Sequence, residues 1–363
     1  MEAGALVAYC RGGFEGEAAA DLRRIAAQAD TALDIAIVPG AAYVIARAAH
    51  LDPERWDRAE AATPPIFARS IVCGAGPFPL LPPPPVLPRA DRITPLLAAI
   101  DAVARTRFHA PPWRTAWIEF PDSNEGKALS PLARALGARI DGELRSRGQL
   151  DARAVRRLHV FLPAGDHAWV GTASAVRGGW PLGIPRLRMP GAAPSRSTLK
   201  LAEAFATFLG DREPALLRPG LRAVDLGAAP GGWTWQLAQR GVRVTAVDNG
   251  PLKGAVADDP LVTHVREDGL RWRPRRPVDW LVCDIVEQPI RIAELVARWI
   301  ADGAARRAIF NLKLPMKKRY DEVRRCEQRI GEILHGAGLR HSLSVRQLYH
   351  DREEVTAYLA RVD

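Results

Sequence analysis

The sequence predicts an α/β chain: a mostly parallel, doubly wound sheet in the C-terminal half, preceded by a smaller α+β region. From Arg222 onward, continuous apolar runs alternate with amphipathic stretches: LRAVDLG, WTWQLAQRG, VRVTAVDNG, WLVCDIVEQ, ELVARWIADG and AIFNLKLP. Parallel strands covered by helices on both faces read this way. A glycine-rich turn, APGG, joins the first of these strands to its helix. Ahead of them, shorter strands and helices fill two α+β units.

At 363 residues the chain exceeds the size at which one core stops growing, so several domains are expected. It is 47% hydrophobic and 25% charged, as soluble globular proteins are, and no apolar run approaches the roughly 20 residues of a membrane span. In the first unit, residues 1–76, LVAYC, LDIAIV, AAYVIARA and IFARSIVCGAG read as strands, and FEGEAAADLRRIAAQA as a helix. Acidic neighbours and the lack of a basic leader make the N-terminal apolar stretch a strand and not a signal peptide. Residues 77–90 contain PFPLLPPPPVLP, a stiff polyproline connector.

The second unit, 91–177, takes helices at DRITPLLAAIDAVA and PLARALGARIDGELRSRG and strands at TAWIEFPD, RRLHVFLPAG and DHAWVGTASA. Nothing up to residue 175 resembles a catalytic constellation. The third domain, 178–363, opens on a Gly- and Pro-rich linker at 178–197 that feeds a helix near Thr198. Four separated cysteines without a CxxC pair argue against zinc, an iron–sulfur cluster or a disulfide framework, and fit a reducing cytoplasm. No metal site is expected. Lys plus Arg number 51 against 41 Asp plus Glu, a formal charge of +10. A polyanionic partner and a merely solvated basic surface explain that charge equally well.

The turn DLGAAPGGWT (Asp225–Thr234) occupies the place where ligands bind in such a sheet, beyond the carboxyl ends of the strands. Gly227, Pro230, Gly231 and Gly232 let backbone approach a ligand there. The loop lacks the GK[ST] of a triphosphate-binding loop and departs from GxGxxG, which disfavours nucleoside triphosphates and NAD. Asp248, about 20 positions on, suits a ribose diol, and Asp268, after the third strand, suits an adenine ring. Alone, either aspartate reads as turn chemistry; with the loop they favour a nucleoside cofactor, S-adenosylmethionine.

Lys313 interrupts the apolar run AIFNLKLP, and burying a lysine is costly without a purpose. Asp284 ends the strand WLVCD, Lys200 lies on the helix after PSRST, and Glu354 precedes the strand VTAYLA. A hydroxyl receiving a methyl group must lose a proton, and a lysine serves as base only when neutral. Desolvation and a nearby second cation would lower its pKa. Two structural salt bridges explain the same four residues as well as catalysis does. Amino-group methylation would call for an Asn/Asp-Pro-Pro-aromatic segment where this chain has DIVEQP. Cys283, by alternation, faces away from Asp284 and reads as a core residue.

SRSTLK, DLGAAPGGWT, VDNGPL, REDG, CDIVE, NLKLPMKKRY and LYHDREEVT resemble the RlmM family of bacterial 23S rRNA ribose 2'-O-methyltransferases. CRGGFEGE, IFARS, DRITPLL, EFPDSNEGKAL, HVFLPAG and GIPRLRMP extend the likeness over nearly the whole chain. The resemblance implies ferredoxin-like and THUMP RNA-binding regions before a Rossmann-like methyltransferase domain, and a cytidine of free 23S rRNA as target; a cytoplasmic monomer is expected, although the sequence does not supply the oligomeric state. It implies a tetrad of Lys200, Asp284, Lys313 and Glu354, with Lys313 the base; Glu353 competes for the last place. It assigns Ser197, Gly231, Gly232, Asp248 and Asp268 to the cofactor and gives Asp284 a contact with the cofactor's methionine part. Ala229 stands where some relatives have cysteine, within a loop that acts through its backbone. Lys317, Lys318 and arginines of the 186–196 linker, Arg196 among them, are expected on RNA phosphates or on a solvated basic face. Methylation of a base or a small molecule, and an inactive RNA-binding assembly protein, are the competing readings.

Overall fold

Alternation of apolar residues in the early strands leaves one face to be covered, and the helices between them cover it. The computed structural model describes residues 4–81, 91–177 and 179–362. The chain divides into two compact units, 1–185 and 186–363.

In the first unit, β1 (Gly4–Tyr9), α1 (Glu15–Ala29), β2 (Asp34–Ile37), β3 (Tyr43–Ala48), α2 (Pro53–Ala62) and β4 (Ser70–Pro79) come first. They are followed by α3 (Ile93–Ala104), β5 (Ala116–Glu119), α4 (Asn124–Lys127), α5 (Ser130–Ser146), β6 (Arg156–Phe161) and β7 (His167–Ser174). All seven strands share one sheet, in the order β2-β3-β1-β4-β7-β6-β5. Leu6, Leu22, Ile25, Trp56 and Cys73 lie in one apolar core, and Leu96, Ile100, Trp113, Ile140 and Val160 in another.

Strand β4 joins the two cores, because its Cys73 enters the first while Ala75 and Phe78 pack on the second. The boundary expected after residue 76 is therefore displaced. Pro77–Pro79 belong to the strand, and Leu80 is buried in the second core. The prolines fit because, among the described residues, the ladder with β1 ends at Gly74, so a missing N–H on that side breaks no pairing there. Of the polyproline connector, residues 82–90 lie outside the described residues. The linker expected at 178–197 is also divided: Leu182 N–H donates to the buried Glu119 Oε1 at 2.5 Å, holding residues 180–185 to the first sheet.

The second unit contains α6 (Thr198–Phe208), α7 (Glu213–Leu216), β8 (Arg222–Leu226), α8 (Gly232–Ala238), β9 (Arg243–Val247) and β10 (Val262–Val265). Then come β11 (Val278–Cys283), α9 (Pro289–Ala301), β12 (Ala305–Lys313), α10 (Arg319–Gly336), β13 (His341–Arg346) and β14 (Glu354–Arg361). The strand order is β10-β9-β8-β11-β12-β14-β13, parallel from β10 to β12, with β14 antiparallel between β12 and β13. Successive strands run outward in one direction from β8 and in the other from β11. Right-handed crossovers then put α8 and α9 on opposite faces, and a crevice opens between β8 and β11. Among the described residues no helix is long and apolar enough to cross a membrane.

Asp21, on α1, shows how the first unit is tied together. Its Oδ2 accepts the backbone N–H groups of Ile66, Phe67 and Ala68 at 2.9, 2.6 and 2.9 Å. Burial raises its pKa in spite of these bonds. Asp21→Ala strands three buried donors and is expected to lower the unfolding free energy on the order of 3 kcal/mol, measured by urea titration. A loss below about 1 kcal/mol would mean that the clip is dispensable.

Candidate active site at the carboxyl edge of the second sheet

Side-chain alternation on three strands builds this site. Trp280 and Val282 of β11, Ile309 of β12 and Tyr358 and Ala360 of β14 share one apolar core with Leu201 and Phe205 of α6 and Leu237 of α8. Continuing each alternation to the edge of the sheet gives Asp284 on β11's extension, Asn311 and Lys313 on β12, and Thr356 and Glu354 on β14. Register aligns them, with Asn311 opposite Thr356 and Lys313 opposite Glu354. Lys200 is carried in from above by the first turn of α6.

Four of these side chains close a ring. Lys313 Nζ donates to Asp284 Oδ1 at 2.5 Å and to Glu354 Oε2. Lys200 Nζ pairs with Glu354 Oε1 and lies 3.6 Å from Asp284 Oδ2. Side-chain exposures of 6% to 23% take all four largely out of water, where a charge is tolerable only with a partner. Burial by itself would lower the Lys313 pKa, but the charges and hydrogen bonds of Asp284 and Glu354 outweigh it and raise that pKa. The lowered pKa expected from the sequence is thus reversed, because the combined charges and hydrogen bonds of two adjacent carboxylates exceed the effect of burial. Glu353 is outside the ring; its exposed carboxylate pairs with Arg319 at 2.7 Å. Cys283 is buried on the other face, and burial pushes its thiol up to about 12, as suits a core cysteine.

The glycine turn lies one strand away. Gly227 has φ +77° and Gly231 φ +112°, conformations that side chains resist. A Cβ on Gly227 would come within 2.8 Å of Ile285 Cγ1, and one on Gly232 within 2.4 Å of Ser197 Oγ. Close packing therefore leaves no room for a side chain at either position. Asp248 binds this turn, accepting Ala229 N–H at 3.0 Å and Gly250 N–H at 2.7 Å, one on each carboxylate oxygen. Asp225 is fully buried; Thr234 Oγ1 donates to its Oδ2 at 2.6 Å, while Oδ1 has no partner among the described residues. Burial pushes its pKa up to about 7. An orphaned buried oxygen beside a glycine-rich turn of small residues fits a polar nucleoside ligand.

Other expected residues are placed less tightly. Asp268 is exposed and caps its own turn through Leu270 N–H at 2.9 Å, the local role open to any aspartate there. Ser197 Oγ pairs with Ser195 Oγ at 2.7 Å against the start of α8. Arg196, Lys317 and Lys318 are exposed, each a few residues from a ring lysine.

Several residues at the site escaped sequence reasoning. Asn311 interrupts the same apolar run as Lys313, a signal that was available. Glu203, one turn beyond Lys200, has no such signal. Its carboxylate accepts Tyr349 N–H at 2.7 Å, His350 N–H at 2.9 Å and a contact from His350 Nδ1 at 2.5 Å, fastening α6 to the segment before β14. Asp351 and Thr356 come close to Asn311 only through strand pairing.

A parallel sheet that reverses beside a bare glycine turn, with titratable groups at its carboxyl edge, defines a Rossmann-like methyltransferase, and residues 193–314 match the model of FtsJ-like methyltransferases. Residues 3–55 match the RlmM ferredoxin-like domain, and 91–174 the N-terminal region of ribosomal RNA large subunit methyltransferase M. The chain belongs to the ribosomal RNA large subunit methyltransferase M family. It is 48% identical to the member from Methylococcus capsulatus over 98% of both chains. It is 46% identical to the Azoarcus member, over 98% of this chain and 95% of that one. With the Laribacter hongkongensis member identity is 54%, over 75% of this chain and 76% of the other.

Gly227→Ala is expected to lower the unfolding free energy by about 1–3 kcal/mol, since it adds both backbone strain and the Ile285 contact. Chemical denaturation measures this, and an unchanged midpoint would show that the turn is not held as described.

Proposed function

We propose that this chain methylates the 2'-hydroxyl of a cytidine in 23S ribosomal RNA, acting as a monomer in the cytoplasm on RNA not yet assembled into a subunit. The ring of Lys200, Asp284, Lys313 and Glu354, one strand from the glycine turn, carries this reading. S-adenosylmethionine is the methyl donor; when bound it supplies a methyl carbon made electrophilic by a positively charged sulfur.

The backbone of Gly227 and Ala229–Gly232 lines the cofactor's place, with Pro230 shaping the turn and Ser197 at its border. Asp248 keeps a free lone pair on each oxygen for a ribose diol, and Asp268 stands at the adenine end. Lys313 Nζ, held by both carboxylates, receives the hydroxyl proton. The cofactor held by this turn would supply the methyl group to that oxygen, its carbon–sulfur electron pair staying on sulfur. Asp284 and Glu354 orient the two lysines, and Lys200 balances the charge that the carboxylates bring. Arg196, Lys317 and Lys318 meet phosphates, in keeping with the formal charge of +10.

Lys313→Ala is expected to lower single-turnover methylation more than about 100-fold while cofactor affinity, read by calorimetry, persists. Near-native activity would remove Lys313 as base. Asp248→Ala should instead weaken cofactor binding about tenfold or more. Since Asp284 and Glu354 raise the Lys313 pKa, the neutral lysine is scarce at neutral pH. The rate should climb by about tenfold per pH unit toward the alkaline range, and a plateau already reached near pH 7 contradicts a lysine base. The most informative assay incubates the protein with labelled S-adenosylmethionine and unmodified 23S rRNA and maps the label. A ribose 2'-O-methyl on a cytidine is expected; label on a base overturns the assignment.

A further inference from the structure

Behind the ring is a second group of polar side chains that no step of the methyl transfer uses. Asn311, Thr356 and Asp351 are all fully buried. Asn311 Nδ2 donates to Asp284 Oδ1 at 3.0 Å and reaches Glu354 Oε2 at 3.5 Å. Its Oδ1 accepts from Thr356 Oγ1 at 2.8 Å. Thr356 Oγ1 also lies 3.0 Å from Asp351 Oδ1 and 2.9 Å from Oδ2, and Oδ2 accepts Leu348 N–H at 2.9 Å.

One proton arrangement satisfies Asn311 Oδ1 and Thr356 Oγ1 together. A hydroxyl has a single proton, and Asn311 Oδ1, an acceptor only, needs it. Thr356 Oγ1 must then accept from Asp351, which can donate only as the protonated acid. Burial, reinforced by the carboxylates of Glu354 and Glu203, holds Asp351 well above the usual carboxylate range. All the bonds therefore run one way: Asp351 to Thr356 to Asn311 to Asp284. A reversed Asn311 amide would turn its carbonyl oxygen toward both ring carboxylates.

We propose that Asp351, Thr356 and Asn311 form a one-way hydrogen-bond relay that fixes the two ring carboxylates between the lysines, making Asn311 a positioning residue for the methyl transfer. The inference rests on the assignment of the ring as the reaction centre. Asn311 and Lys313 donate to the same oxygen, Asp284 Oδ1. Removing the amide leaves that oxygen to the ammonium alone, so Lys313 holds its proton more tightly. Charged groups facing the relay and ring include Lys200 and Glu203 from α6, Asp225 of β8, Asp284 after β11, Lys313 of β12, Arg346 of β13 opposite Thr356, His350 before β14 and Glu354 of β14.

The test uses the full-length protein and an unmodified 23S rRNA transcript, with methylation rates measured from pH 6 to 10. Thr356→Val keeps the shape of the side chain and removes the hydroxyl. Its kcat should fall on the order of tenfold near neutral pH, with the alkaline limb displaced to higher pH. KM for RNA and the Kd for S-adenosylmethionine should change by less than about twofold, and Thr356→Ser should restore both rate and profile. Asn311→Ser, too short to reach Asp284, carries the test with the same signatures if Thr356→Val does not fold. An unaltered kcat and profile overturns the relay, as does a loss that is uniform across pH and that serine does not repair. Lys313→Met separates the two assignments. If it is inactive while Thr356→Val behaves as native, only the relay falls; if it is fully active, the ring is no reaction centre and the relay falls with it.

Discussion

The closed alternation of two lysines and two carboxylates is the constraint on which the second unit depends. Four charges can lie together at the rim of a sheet, mostly out of water, only if each faces two of opposite sign. That condition fixes where the elements must end. Asp284 has to follow β11 within reach of Lys313 of β12, and the first turn of α6 must deliver Lys200 to them. The antiparallel β14, inserted beside β12, supplies Glu354 from the opposite chain direction. Buried ionic groups of this kind seldom stabilise a fold better than apolar packing would, so their presence points to chemistry.

Two requirements meet at this edge of the sheet. The glycine turn needs backbone without side chains, and Ile285 and Ser197 crowd it so that only hydrogens fit. The ring needs side chains whose positions do not drift, because a shift of an ångström in a proton acceptor changes its affinity for the proton. Asp248 anchors the turn, while Glu203 ties α6 to the chain just before β14. Neither carboxylate belongs to the ring, yet each sets the place of one of its neighbours.

The first unit obeys a different logic. One sheet serves two apolar cores because β4 is ten residues long and contributes to both. Its prolines lie beyond the last pairing with β1, so a segment that reads as a connector takes part in the fold. Composition suggested a break there, since proline is usually excluded from strands; among the described residues no strand pairs with β1's side of β4 at the prolines, which removes the objection.

By itself the sequence determined the α/β class, the alternation of strands and helices after Arg222, the glycine turn, and all four ring residues as candidates. Each of these is written in local signals: period, turn chemistry, and polar residues ending apolar strands. Which of Glu353 and Glu354 joins the ring, the direction of the Lys313 pKa shift, and the contacts of Asn311, Thr356, Asp351 and Glu203 were decided only by tertiary structure. Those depend on register between β12 and β14 and on where α6 crosses them, and pairings between residues tens of positions apart leave no periodic trace in the chain. The lysine is the clearest case. Its sequence neighbours are apolar and imply a lowered pKa; desolvation is indeed the largest single influence, but the charges and hydrogen bonds of Asp284 and Glu354 together outweigh it.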